Sequence, residues 1–296
     1  MNEEIEIRKI LLPVEFSERS RGAARYAEAL ASRFHAELVV LHVVPPPYLL
    51  YSGAGEGTAY AALPEVIADR TAAAKARLDA FVAQIPEGIR ARPVLLEGDA
   101  AGAIVDFAHA ERCDMVVMST HGYGPFRRFL IGSVTAKVLH DVDCPVWTGP
   151  HLEAAPEWRD VQWRRIACAL DLGPRSREVL AWAARMARQC GAALSLVHAV
   201  PGSTAALGGL TFDPEWGAEL ARMAREQMAQ LQEGMPVCGD MHVETGDAAA
   251  AVSRAVEELG ADLLVIGRSL HSGVMGRLRA NAYAIIRESP CPVVSI

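Results

Sequence analysis

The second half of this 296-residue chain repeats four short stretches of the first half in the same order. Two of the repeated pairs are 156 positions apart, and the other two are 148 and 147 positions apart. The pairs are residues 10–15 with 166–171, residues 38–44 with 194–200, Gly98-Asp99 with Gly246-Asp247, and Cys144-Pro-Val with Cys291-Pro-Val. Such a period is much longer than the roughly 20–50 residues of solenoid repeats. It predicts the duplication of a whole domain.

Within each copy, apolar runs alternate with segments of helical periodicity. Residues 8–16 and 37–44 are short, nearly continuous apolar runs, which are typical of strands buried on both faces of a parallel sheet. Alanine and leucine recur at helical spacing between them, with Ser17 or Ser20 as the expected N-cap. The order βαβαβαβαβ predicts an α/β fold whose parallel sheet carries helices on both faces.

We therefore expect two tandem open parallel-sheet domains, each Rossmann-like with five strands. The first covers residues 1–150, a linker covers 151–160, and the second domain covers 161–296. The last strand of each copy, at 145–148 and 292–295, is an apolar edge, and apolar edges are usually covered. This predicts that the two domains pack as a pseudo-dimer through these strands.

Charge and composition exclude several classes of function. The net charge of −7 provides no basic surface for nucleic acid or an anionic membrane. No apolar run approaches the ~20 residues that span a bilayer, and the first residues do not resemble a signal peptide. The six cysteines are scattered, and no H-E-x-x-H or C-x-x-C spacing indicates a metal. We expect a cytoplasmic protein without a metal site.

The stretch from Ser119 to Ser133 carries the clearest sign of chemistry. Gly122 and Gly132 would let the backbone approach a bulky ligand. Ser133 falls where a helix begins, so unpaired N–H groups, the helix dipole and its own hydroxyl are available to an anion. The pattern predicts a phosphate-binding loop. The alternative is an ordinary strand-to-helix connection with a serine N-cap.

Three motifs together resemble the universal stress proteins of the UspA type, here in tandem. They are ILLPVEFS at residues 10–17, LHVV at residues 41–44, and a small-x-x-Gly, nine residues, Gly-Ser loop followed by D-x-x-C-P-V. The resemblance covers almost the whole chain and implies a five-stranded domain that binds ATP at the carboxyl ends of its strands. One departure is Ser119, which stands where the family usually has glycine.

The resemblance implies a nucleotide site in the first copy. Glu15 replaces the aspartate that contacts the nucleoside, and Val43 would form part of the adenine wall. Glu15 could instead complement a helix N-terminus, and Val43 could be core. Asp99 is expected to cap the third helix. The expected nucleotide-binding residues are Pro13, Val14, Glu15, Val43, Gly98, Ser119, Thr120, His121, Gly122, Arg127, Arg128, Gly132, Ser133 and Val134.

The second copy retains different features. Asp171, Gly246 and Gly267 could form a second site, but Leu270 falls where Gly122 was. Counted back from the Cys-Pro-Val motif, Arg279-Ala280 replaces Gly132-Ser133. One residue is missing in this loop, so its alignment stays open. We expect an intact nucleotide site in the first copy and a degenerate one in the second.

These features predict a stress-response protein that binds ATP, with or without magnesium, as a regulatory ligand in its N-terminal half. Its partners would be adenine nucleotide, an unidentified protein and, by the resemblance, a second copy in a homodimer. The alternatives are a nucleotide-free interaction protein with a vestigial loop, or a weak ATPase. No P-loop or dinucleotide motif occurs, and no catalytic residue is predicted.

Overall fold

The computed structural model describes residues 4–46, 64–120, 131–149, 152–201, 214–268 and 276–296. The predictions made for His121, Gly122, Arg127, Arg128 and Leu270 lie outside these residues. The chain divides into two compact units. The N-terminal unit comprises residues 6–146 and 151–161, and the C-terminal unit comprises residues 1–5, 147–150 and 162–296. Their packing as a pseudo-dimer stays a prediction.

Strands and helices alternate in both halves of the chain. The first half contains β1 (Lys9–Pro13), α1 (Glu18–Phe34), β2 (Glu37–Val44), α2 (Pro64–Val82), β3 (Ala91–Glu97), α3 (Ala100–Ala110), β4 (Met115–Ser119), α4 (Ser133–Asp141) and β5 (Val146–Gly149). The second contains β6 (Arg165–Ala169), α5 (Ser176–Cys190), β7 (Ala193–Val200), α6 (Pro214–Gln232), β8 (Asp240–Thr245), α7 (Ala248–Glu258), β9 (Leu263–Ile266), α8 (Gly276–Glu288) and β10 (Val293–Ser295). The predicted α/β fold with five strands in each half is confirmed.

Both units form parallel sheets in which the first strand is central. In the N-terminal unit the order is β3–β2–β1–β4, and in the C-terminal unit it is β8–β7–β6–β9–β10. The chain therefore adds strands on one side of β1 and then crosses to the other side to form β4. Open α/β sheets bind ligands at such a switch point, outside the carboxyl ends of the strands.

The core includes the apolar runs identified in the sequence. Ile10, Leu11 and Leu12 are consecutive in β1 and all have 0% exposure, which is the burial on both faces expected of a central parallel strand. The helix that follows begins as predicted, because Ser17 is the N-cap and its hydroxyl accepts the Ser20 N–H at 3.1 Å. Local capping and core burial thus agree on where β1 ends and α1 begins.

The segment predicted to be a linker belongs to the N-terminal unit. Its 3₁₀ turn, Leu152–Ala154, packs against α1 at Gly22. A Cβ placed at Gly22 would lie 1.9 Å from the Leu152 carbonyl oxygen, so only glycine permits this approach. Arg25 holds the same segment, because its Nη1 donates to the Ala155 carbonyl at 2.5 Å and its Nη2 pairs with Glu157 at 3.2 Å.

The part of the chain that the structure describes contains free thiols and no cluster of metal ligands. All six cysteines are free, and burial raises the pKa of Cys113 and Cys291 to about 12, so both are protonated at neutral pH. No group of three His, Cys, Asp or Glu residues is placed to hold a metal ion there. None of the described helices is both long enough and apolar enough to cross a membrane.

Candidate functional site

A cavity of about 390 Å³ opens at the carboxyl ends of β1, β2 and β4, at the switch point of the N-terminal sheet. The lining combines apolar side chains with a few polar groups, as is typical of small-molecule sites. Predicted site residues that line it are Pro13, Val14, Glu15, Val43, Ser119, Gly132, Ser133 and Val134. Residues that were not predicted also line it, namely Ser20, Leu41, His42, Ala100, Ile104, Met118 and Thr135.

The start of α4 forms one wall of this cavity. Gly132 is its N-cap, donates its N–H to the Thr120 carbonyl at 2.9 Å and accepts from the Ala136 N–H at 2.8 Å. The first N–H groups of a helix have no partner within the helix, and those of Ser133 and Val134 have none elsewhere in the described chain. These donors and the positive end of the helix dipole can therefore hold an anion.

Gly132 serves this wall by lacking a side chain. Its φ of −58° and ψ of 143° are ordinary extended values that any residue can adopt, so the positive φ open to glycine is not what the position requires. Thr135 fastens the same helix start to β4, because its hydroxyl donates to the Ser119 carbonyl at 3.0 Å. The helix start is thus fixed to the end of β4 and remains open toward the cavity.

Glu15 places a carboxylate at the end of β1. Its Oε1 accepts the Ser17 hydroxyl at 2.8 Å, and its backbone N–H donates to the Ser20 hydroxyl oxygen at 3.1 Å. The carboxylate therefore lies at the N-terminus of α1, as the helix-complementation alternative requires, and it also lines the cavity. These two roles are compatible, because only Oε1 is engaged by a hydrogen bond among the described residues.

His42 is the main lining residue that sequence reasoning missed. Its Nδ1 lies 2.7 Å from the Val14 carbonyl oxygen, and its ring contacts the Phe16 ring at a tilt of 41°, with 4.4 Å between ring centroids. Burial lowers the pKa of His42, so the ring is neutral, Nδ1 donates and Nε2 is an acceptor. A signal was available, because His198 occupies the same place in the second copy, 156 positions later.

Comparison with known proteins identifies the family of this chain. The family model described as "Universal stress protein family" matches residues 6–148 and 162–296. The chain belongs to the universal stress protein family. The two separate matches confirm the predicted tandem arrangement.

Relatives and solved structures agree with this assignment. A universal stress protein of Methanocaldococcus jannaschii is 30% identical over 140 residues, which cover 47% of this chain and 79% of the relative. Universal stress protein A homolog 1 of Coxiella burnetii is 29% identical over 140 residues, covering 46% and 97%. The crystal structure of a universal stress protein from Archaeoglobus fulgidus matches with a TM-score of 0.70 and 24% identity, covering 99% of this chain and 97% of that one. This last match shows the tandem fold.

Two predicted site residues of this universal stress protein are outside the lining just described. Gly98 takes a φ of +150°, which favours glycine, in the turn that precedes α3, and Asp99 caps that helix by accepting the Gly102 N–H at 2.8 Å. Thr120 is 7% exposed and contributes its carbonyl to Gly132. The structure thus gives Gly98 and Thr120 a backbone role at the edge of the site.

The C-terminal unit has a smaller cavity of about 240 Å³ in the corresponding place. Asp171 and Gly267 line it, whereas Gly246 lies outside its lining, in a turn with φ of +131°. Helix α8 begins at Gly276, so Arg279 and Ala280 lie inside the helix rather than at its start. The N–H groups at these positions are directed into the helical ladder.

Proposed function

We propose that this universal stress protein binds ATP in the N-terminal cavity and that the bound nucleotide regulates its interaction with a protein partner under stress. The observation that carries the proposal is the start of α4, where the Ser133 and Val134 N–H groups, which have no partner among the described residues, lie at the cavity beside Gly132. Most of the charge of ATP is on its phosphates, and a helix start without an obstructing side chain suits them.

The rest of the cavity suits the nucleoside. In the sheet, β1 lies between β2 and β4, so His42 and Val43 on β2 lie about 10 Å from the phosphate end. They offer an apolar wall and a neutral imidazole acceptor, while Glu15 on β1 offers a carboxylate to ribose hydroxyls. This order along the sheet supports a bound ATP with its base, sugar and phosphates in sequence from β2 to α4.

A regulatory ligand fits this lining better than a substrate. The titratable side chains in the described lining are Glu15 and His42, which lie on β1 and β2, away from the phosphate end. Magnesium would be carried by the phosphate oxygens, because the described lining contains only one carboxylate and forms no cation site. We therefore expect slow turnover or none, and regulation by occupancy.

The first test is calorimetric titration of the purified full chain with ATP and MgCl₂, which should give about one site per chain. Ser133→Ala removes a hydroxyl that would donate to phosphate, which is worth about 1.5–3 kcal/mol, and should weaken ATP binding about ten-fold or more. Gly132→Leu should abolish binding, because a branched side chain would occupy the space of the phosphates.

The matched controls lie at the ends of the corresponding strands. Glu15→Ala should weaken ATP binding, whereas Asp171→Ala, at the counterpart position 156 residues later, should leave it unchanged. Two equivalent ATP sites, or a site lost only in Asp171→Ala, would contradict the assignment to the N-terminal half. Absence of ATP binding in the folded wild-type chain would instead favour the nucleotide-free interaction protein.

A further inference from the structure

The C-terminal cavity of about 240 Å³ is lined mainly by apolar side chains, but three polar ones converge on it: Asp171, His198 and Asn281. The first two are counterparts of Glu15 and His42 in the N-terminal cavity. Counted back from the Cys-Pro-Val motifs, Asn281 corresponds to Val134. The second copy has therefore gained a polar group in its cavity at the point where the first copy has an apolar one.

Each of these polar groups has hydrogen-bonding capacity left over. Asp171 Oδ1 accepts the Gly173 N–H at 2.8 Å and the Ser176 hydroxyl at 2.9 Å, and Oδ2 has no hydrogen bond among the described residues. His198 Nδ1 lies 2.7 Å from the Leu170 carbonyl oxygen, to which it can donate, and Nε2 has no hydrogen bond among the described residues.

Asn281 completes the set. Its amide can donate twice and accept, and the described chain supplies it with no side-chain partner. It lies in the second turn of α8, which begins at Gly276, so its side chain lines the cavity while its backbone belongs to the helical ladder. Together, Asp171, His198 and Asn281 provide two acceptors and a group that both donates and accepts. Such a set suits a ligand that carries hydroxyl or amino groups.

The same cavity is poorly suited to phosphate. Helix α8 starts about one turn earlier, relative to the Cys-Pro-Val motif, than α4 does, so the lining residues Asn281 and Ala282 present no unpaired N–H groups. Among the described residues that line the cavity, Asp171 is the one charged side chain, and it is negative. Gly267 does not compensate, because a Cβ there would lie 3.1 Å from Val179 Cγ2, so its small size serves packing against α5.

The volume of the C-terminal cavity further restricts the size of a ligand. A volume of about 240 Å³, against about 390 Å³ in the N-terminal cavity, is below the roughly 300–1,000 Å³ of pockets that take drug-sized ligands. We propose that the C-terminal cavity binds an uncharged nucleoside, whose sugar hydroxyls donate to Asp171 and whose heterocycle is read by Asn281 and His198. This site is separate from the ATP site proposed above and does not depend on it.

The test titrates adenosine into the full chain in the presence of saturating ATP and MgCl₂, so that the N-terminal site is already filled. We expect about one adenosine site per chain. AMP should bind this site at least ten-fold more weakly than adenosine, because its phosphate meets Asp171 and no helix start. Asn281→Val, which installs the residue of the first copy, should weaken adenosine binding about five- to thirty-fold, the loss of one or two hydrogen bonds.

Asn281→Ala guards against misfolding, because alanine is the best helix former and should give the same loss while thermal unfolding is unchanged. Ser133→Ala is the matched control: it should bind ATP about ten-fold or more weakly and bind adenosine as the wild type does. If ATP does not bind at all, one adenosine site should still be weakened in Asn281→Val, so the two proposals fail separately. Adenosine that only competes with ATP, equal affinity for AMP, or full affinity in both Asn281 variants would overturn the assignment.

Discussion

Replacing Glu28 by glutamine should stabilise the N-terminal unit at pH 8 and have much less effect at pH 5. Glu28 lies in α1 with only 4% exposure, and no hydrogen bond or ion pair to its carboxyl occurs among the described residues. The nearby cations are engaged elsewhere: Arg21 lies 3.8 Å from the Phe81 ring centroid, and Arg25 holds the Leu152–Ala154 segment through Ala155. Burial, opposed by Arg21, raises the pKa of Glu28 from 4.5 to about 7.

The sign of the effect follows from proton binding. Because the folded pKa is above the ordinary value of 4.5, the folded chain holds a proton that the unfolded chain releases. The carboxyl therefore contributes stability below pH 4.5, and that contribution is lost as the pH rises through 7. A pKa difference of about 2.5, at ~1.4 kcal/mol for each pH unit, gives about 3 kcal/mol in total. About 2.5 kcal/mol of it should be lost between pH 5 and pH 8.

Glutamine keeps the shape of the side chain without the charge, so Glu28→Gln should escape this loss. The second copy supports the substitution, since Ala184 stands at the position corresponding to Glu28 and is fully buried. The free energy of opening of α1 can be measured by hydrogen exchange of its peptides, comparing variant and wild type at each pH. A difference that is the same at pH 5 and pH 8, or a less stable variant at pH 8, would show that Glu28 stays ionised in the fold.

Three further predictions concern backbone and thiols. His35 ends α1 with a φ of 54°, and its counterpart in the second copy is Gly191, with a φ of 65°. His35→Gly should therefore stabilise the chain by about 0.5–1 kcal/mol, measured by urea unfolding. A destabilised variant would contradict this prediction. Gly22→Ala should destabilise by about 3 kcal/mol or more, because the 3₁₀ turn must move away from α1, and an unchanged Tm would refute the reasoning. Cys144→Ala with Cys291→Ala should bind ATP normally under reducing and oxidising conditions, and loss of binding would show a thiol role.

The parts of the fold that could be predicted from the sequence are those where local backbone preferences and side-chain burial favour the same structure. The run that includes Ile10, Leu11 and Leu12 has no polar alternation, so a strand buried on both faces is the structure that satisfies it. Ser17 could be recognised as an N-cap because its hydroxyl replaces a missing helical partner. Because the sequence is duplicated, each of these predictions is made in both copies. The tandem α/β architecture could therefore be predicted from the sequence alone.

The candidate site was less accessible, because it depends on which strand ends meet. His42 appears in the sequence as one polar residue in an apolar strand, and only the hydrogen bond of its Nδ1 with the Val14 carbonyl oxygen places it in the cavity lining. Phe16 has a φ of +64°, a conformation that costs energy for a bulky residue and has no sequence signature. Leu172 repeats it with a φ of 57°, so the turn after the first strand imposes this backbone in both copies.

In the two proposals, the start of one helix decides the charge of the ligand that each copy binds. Both cavities keep an acid at the end of the first strand and a histidine on the second, Glu15 and His42 in one and Asp171 and His198 in the other. In the first copy the helix begins at the cavity with open N–H groups, whereas in the second the helix has begun before it reaches the cavity. Extending a helix by about one turn moves its positive end by about 5 Å, and the dipole effect falls off within one turn. Under the second proposal, the loss of phosphate binding therefore requires no change in the sheet, and the remaining polar groups of the second cavity recognise an uncharged ligand.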